Sequence, residues 1–311
     1  MNRAIAFRLR AFGLHLLVSA SVLTLVLGAL YLGWYRWPGW YVAGAPTVAA
    51  VLIAVDVTIG PLITLVVARA TKPRAELVRD IAIIATVQLC ALVYGAGSLW
   101  NGRPLYYAFS ENQLQLVQAY DISAHELAAA RQQHARILPH WYSLPRWIWA
   151  PLPADPKERI RIVMATLQGG DDVISMPRYF KPWKQGLAAL RAQLKKVDDV
   201  AYFSAAEKRA LKERMHALGL DSQQANAVPL TGRGKPLLVV FDPATLNMLA
   251  MMAPPDSPPS RGRPWSVQGS LHALAADVRA RIDAMAQLRC RVLACPAQVS
   301  RYVGRHQPRS P

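Results

Sequence analysis

The sequence predicts a membrane protein: a three-helix transmembrane bundle followed by an α+β extracytoplasmic domain with antiparallel hairpins. Three observations predict it. Apolar residues, 53% of the 311, concentrate in the first hundred positions as three runs, each long enough to cross about 30 Å of hydrocarbon. The remainder is ordinary in polarity and carries short apolar segments separated by turn residues. Basic residues flank the apolar runs asymmetrically, as topology signals do.

The first ten residues carry Arg3, Arg8 and Arg10 and no acid. Residues 11–33 are then almost wholly apolar, and a span is expected there. The small-residue sequence Ala43-Gly44-Ala45 lies too far from the start for a signal-peptide cleavage site, so the span is read as uncleaved. Ala20, Thr24 and Gly28 put small residues on one helical stripe, which suits close helix packing. Trp34, Tyr35, Trp37, Trp40 and Tyr41 surround Pro38-Gly39, an aromatic belt around a turn at a membrane surface. Further spans are expected over 44–68 and 81–100. Arg69, Lys72, Arg74 and Arg79 lie between them, whereas the first loop has only Arg36. By the positive-inside rule the N-terminus is cytoplasmic, and residues after about 101 face the periplasm of a bacterial inner membrane.

The second span, Val51 to Val67, contains Asp56 and a Gly60-Pro61 step. An ionised carboxylate near the bilayer centre costs about 2.5–3.5 kcal/mol. Proline removes a donor and frees a carbonyl one turn earlier. Folding the spans about their loops brings Asp56 near Ser21 and Thr24, and within about one helical turn of Gln88. The candidate intramembrane polar cluster is therefore Asp56, Thr58, Gly60, Pro61, Gln88 and Tyr94. Two readings stand side by side: a polar group that fixes bundle register, or one that meets a client helix or handles a proton.

In the soluble part, residues 105–109 and 114–117 flank the polar turn 110–113, a hairpin pattern. A helix is expected after Ser123, with Glu126 at the capping-box position. The run 141–156 is dense in Trp and Pro and reads as a loop. It either lies on the membrane or a partner, or straps a modest core; Arg103, Trp141, Trp147 and Trp149 are the candidate partner contacts. Residues 156–168 have helical spacing ended by Gly169-Gly170, and 183–197 read as an amphipathic helix. The helix 204–218 carries a Ser204/Glu207 capping box and ends at Gly219. A second hairpin brackets Asp242-Pro243-Ala244-Thr245. Domain boundaries are expected at 1–100, 101–253 and 254–311, the last a Pro-linked, Arg-rich tail, disordered or helical over 271–292.

A net charge of +17 without a recognition motif points to lipid phosphate rather than nucleic acid. His125, His134 and His140 lack metal-ligand spacing. There is no CxxC, GxSxG or HExxH pattern, so the expectation is no enzyme, no metal and no cofactor. A bond between Cys290 and Cys295 is one option for the tail.

The ordered set DVTIGPLITLVV (56–67), a Lys/Arg loop, Arg79-Asp80, Gln88, Tyr94-Gly95 and Arg103-Pro104 resembles the TfpX/TfpZ family of type IV pilin accessory proteins. Met176-Pro177-Arg178-Tyr179, Pro229-Leu230 and the stretch 238–242 are similar as well. The resemblance covers roughly residues 1–253. It implies a multi-pass inner-membrane chaperone whose partners are its cognate major type IV pilin and membrane lipids; it says nothing of self-association. The alternatives are a membrane-anchored ligand-binding sensor or a surface enzyme.

Overall fold

The computed structural model describes residues 3–111, 113–200, 202–221 and 226–254. Helix α1 (Arg3–Leu30) runs on through a π-helical turn, Tyr31–Tyr35. After the short α2 (Gly39–Val42), the second helix is built of α3 (Ala45–Ile53), a π turn (Ala54–Ile59) and α4 (Gly60–Val67). Helix α5 (Arg74–Asn101) is the third. The continuous stretches Ala4–Tyr35, Ala45–Val67 and Arg74–Asn101 are each long and apolar enough to cross a membrane. The first and third helices extend past the expected 11–33 and 81–100 at their basic ends. Arg8, Arg10, Arg74 and Arg79 therefore ride on helix rather than loop, and Lys72 in the turn pairs with Asp80 of α5.

The small-residue stripe of α1 is not a packing seam. Thr24 is exposed, and a methyl group added at Gly28 would meet nothing within 4 Å. The bundle core instead uses Leu23, Leu30, Tyr35, Leu52 and Leu99. Two glycines mark tight contacts between the second and third helices. A Cβ at Gly95 would fall 2.4 Å from Leu52 Cδ2, and one at Gly60 would fall 2.0 Å from Gln88 Nε2. Lying on opposite partners, they let these backbones approach where a side chain would hold them apart.

The bundle leads directly into strands β1 (Pro104–Ser110) and β2 (Gln113–Gln118), then α6 (Ala124–Gln132), β3 (Arg146–Trp149) and α7 (Pro156–Leu167). There follow β4 (Lys181–Pro182), α8 (Leu187–Gln193), α9 (Ala205–Ala217), β5 (Asn226–Thr231), β6 (Leu237–Phe241) and β7 (Met248–Met252). They form one seven-stranded sheet in the order β4-β3-β1-β2-β5-β6-β7. Both expected hairpins are present, with Tyr107 opposite Leu116 and Val239 opposite Met251. The sheet is nonetheless mixed, because β1 pairs with β3 and β2 with β5 in parallel. Parallel pairs need long crossovers, which the segments carrying α6 and α7 to α9 supply.

Every residue of β1 is buried, because the sheet is covered on both faces. Tyr107 and Phe109 face one core, Tyr106 and Ala108 the other, as the two-residue period requires. The cap signals act as written: Ser123 Oγ accepts from Glu126 N at 3.2 Å, and Ser204 with Glu207 forms a capping box. The helix expected over 183–197 shrinks to α8. Lys195 leaves it to pair its backbone N and O with Ala227 of β5, at 3.1 and 2.7 Å. The Cys290–Cys295 pair, the helix over 271–292 and the tail from 255 lie outside the described residues.

The loop between the first two spans is built into the sheet domain. Val42 joins the sheet core, and Gly234, in the β5–β6 turn, donates its N–H to Val42 O at 2.7 Å. A Cβ at Gly234 would lie 2.0 Å from Tyr41 O, a backbone atom that cannot swing aside. Gly234→Ala is expected to cost about 1–3 kcal/mol by overpacking, read as a lowered Tm of the purified protein. An unchanged Tm would mean that this junction is loose.

Candidate functional site: a polar cluster inside the helix bundle

The cluster begins with a missing proton. Pro61 has no N–H to give, and its ring crowds the carbonyl one turn back. The chain answers by widening Ala54–Ile59 into a π turn, in which Gly60 N donates five residues back to Val55 O. In that register the carbonyl that would accept from residue 61 is Asp56 O. It is orphaned by the proline, and Gln88 Nε2 on α5 fills it at 3.0 Å. Gly60 is the place where the Gln88 side chain crosses, hence the absence of room for a Cβ. Local widening of this kind commonly marks a functional site in a helix.

With Nε2 committed as donor, Gln88 Oε1 accepts from His15 Nε2–H at 2.7 Å. The other ring nitrogen, Nδ1, lies 2.5 Å from Thr64 Oγ1. In the neutral ring Nδ1 accepts from the Thr64 hydroxyl. In the imidazolium it donates, and the hydroxyl turns to Gly60 O, 3.2 Å away. Asp56, Gly60 and Thr64, each four residues apart, are all buried on one face of the second helix. Three helices are thus tied by three hydrogen bonds; in a bilayer three such bonds average about 2 kcal/mol together.

Asp56 itself is 4% exposed, and both carboxyl oxygens are buried with no hydrogen-bond partner among the described residues. The expected partners are not there. Ser21 and Thr24 are exposed on α1, and Ser21 Oγ donates to Leu17 O of its own helix. Gln88 meets the Asp56 backbone rather than its carboxyl group. Thr58 is exposed, and Tyr94 is 43% exposed; neither joins the cluster, because each lies on the outward side of its helix. Sequence reasoning missed His15 and Thr64. The signal was present in His15, since an imidazole inside an otherwise apolar span is a functional-site hypothesis by default.

The candidate contacts of the sheet domain divide. The segment 141–156, read as a loop, contains strand β3. Trp147 stacks on Tyr107 with ring centres 4.8 Å apart and reaches Trp183 at 5.4 Å. Trp149 packs so closely on Gly186 that a Cβ there would lie 2.5 Å from its ring. Both are half-buried and pack against the sheet core, so the strap reading describes them. Arg103 is held where α5 enters β1. Its guanidinium lies 4.6 Å from the Trp100 ring centre and donates to Trp100 O at 2.8 Å. Burial pulls its pKa below the ordinary arginine value. Trp141 alone of the four is exposed.

Arg178, in the Met176–Tyr179 motif, has a structural place. Its Nη1 donates to Glu126 Oε2 of α6 at 2.6 Å, both side chains being nearly enclosed. Tyr179 OH donates to Glu158 of α7. Among the described residues no group of three His, Cys, Asp or Glu side chains is placed to hold a metal ion.

The chain is similar to the fimbrial assembly proteins of serogroups I and E1 of Dichelobacter nodosus. Each is 24% identical over 242 residues, covering 76% of this chain and 91% of the relative. A stretch of 124 residues is 28% identical to the fimbrial assembly protein of serogroups C1 and C2 of the same organism. It covers 40% of this chain and 95% of that relative. No family model matches the chain, and no solved structure matches it.

Proposed function

We propose that this chain is an accessory protein of type IV fimbrial assembly, a non-enzymatic inner-membrane chaperone of the kind the TfpX/TfpZ resemblance implies. The observation that carries the reading is the similarity along 91% of the length of two proteins named for fimbrial assembly. The architecture fits the task. In this reading the client is the cognate major pilin, an apolar helix in the membrane carrying a globular head outside it. The three-helix bundle meets the client helix within the bilayer while the sheet domain, in the periplasm, meets the head. Two such contacts on one chain raise avidity by about 10²–10⁴ over either alone. The bundle and the sheet domain are joined where the 39–44 loop is pinned to the β5–β6 turn.

Co-purification from membranes tests the reading. The full chain is expected to retain its cognate pilin and not a non-cognate one; retention of neither would overturn it. Asp56→Asn separates the two roles of the acid. Retention with a lowered Tm assigns Asp56 to the bundle, whereas loss of the pilin at an unchanged Tm assigns it to the client helix.

A further inference from the structure

We propose that the turn His140–Leu144 is a membrane-interface anchor, seating Trp141, Tyr142 and Leu144 in the lipid headgroup layer beside the bundle. The inference rests on the three apolar helices being membrane spans, and it is independent of what the protein assembles with.

Two observations place the turn at that depth. Trp34, at the end of the first span, donates its indole N–H to Ser143 O at 2.8 Å. Its ring also packs edge-on against Trp100, in the last turn of α5, with centres 5.0 Å apart. The same depth follows from strand register. Arg146 lies opposite Tyr106, two residues past the first residue of β1, or about 7 Å along a strand. The turn therefore sits at the level where the spans leave the hydrocarbon.

Its surface has the chemistry of that layer. Trp141, Tyr142 and Leu144 are 70, 59 and 61% exposed, although each is large and none is charged. Trp and Tyr are enriched at bilayer interfaces because an apolar ring with a polar edge suits a zone that is apolar on one side and wet on the other. The turn is also preformed. His140 N donates to Ser143 Oγ at 2.8 Å, Ser143 N donates to His140 O at 3.1 Å, and the His140 ring stacks on Tyr142 at 9°. Exposed Arg36 on the first loop adds a cation suited to lipid phosphate.

Helix α7 supplies the contrast. Its Leu167 is 77% exposed but lines a cavity of about 190 Å³ with Ser110 and Gln113 at the β1–β2 turn, the end of the hairpin far from the spans. It is the in-molecule control for an apolar side chain away from the bilayer.

The experiment uses the full chain with Cys90, Cys290 and Cys295 replaced by serine, in liposomes of phosphatidylethanolamine and phosphatidylglycerol. Nitroxide labels are placed at Tyr142→Cys, Leu144→Cys and Leu167→Cys, all on exposed side chains. Relaxation by dissolved oxygen is compared with relaxation by a water-soluble nickel chelate. The oxygen-to-nickel ratio is expected to be several-fold higher at 142 and 144 than at 167. Equal ratios at the three positions would overturn the proposal. Protection at 142 and 144 that arises only when purified pilin is added would overturn it too, assigning the turn to a protein partner.

Discussion

Arg178→Ala is expected to destabilise the sheet domain by about 3–5 kcal/mol, because it leaves a buried carboxylate without its partner. Glu126 is 4% exposed and sits in the first turn of α6. Its only other ionic neighbour among the described residues is His125 Nδ1, 3.6 Å away on a largely exposed ring. The pair holds α6 to the short helical turns of 173–179, so its loss should loosen α6 while Val173, Ile174, Met176 and Phe180 still pack on the sheet. The double variant Arg178→Met with Glu126→Gln is the discriminating control. Replacing both partners removes the stranded charge, so denaturant unfolding should recover most of the loss. If the double variant is as unstable as the single, packing of the arginine stem rather than charge is what matters there.

Gly60→Ala is expected to cost the bundle about 2–4 kcal/mol, the sum of lost interhelical hydrogen bonds and an unpaired carbonyl. The added Cβ occupies the path of the Gln88 side chain, which must leave. Asp56 O then has no donor, and His15 loses its Nε2 partner. A double-mutant cycle in detergent reads the mechanism. In a Gln88→Ala background the same Gly60→Ala substitution meets no amide, so it should cost far less than in wild type. Additive losses would show that Gly60 serves backbone approach alone and that the amide bridge contributes little.

How much of this was legible depends on the range over which each feature is decided. The second span showed its own anomaly, since an acid and a Gly-Pro step inside an apolar run ask for partners from other helices. Gln88 was named as one from depth alone. Which atom it would satisfy was not legible. That depends on whether the helix passes Pro61 in α or π register, and only the π register moves the orphaned carbonyl from residue 57 to residue 56. Ser21 and Thr24 lie at the right depth but on the wrong side of α1. Helix rotation is set by which side chains pack, here Leu23 and Leu30, and a depth estimate carries no rotation.

The tryptophans make the same point in the sheet domain. Trp141, Trp147 and Trp149 look alike in a Trp- and Pro-rich run. Strand β3 exists only because β1 offers it a parallel edge, and that pairing draws Trp147 and Trp149 against the core while Trp141 stays outside. Lys195 likewise abandons a helical pattern because Ala227 has backbone groups to pair.

By itself the sequence determined the three apolar helices, through length and hydropathy, and the two hairpins, through short apolar runs flanking turn residues. It determined the helix ends at Ser123, Ser204 and Gly219 as well. All of these are settled within a few residues of chain, where covalent geometry and local hydrogen bonding act. Only the tertiary structure decided the mixed order of the sheet, the π register at Asp56, the bridging role of His15 and the inward turn of two tryptophans. Each of these depends on a neighbour brought from dozens of residues away, and its free energy is realised only once that neighbour is in place.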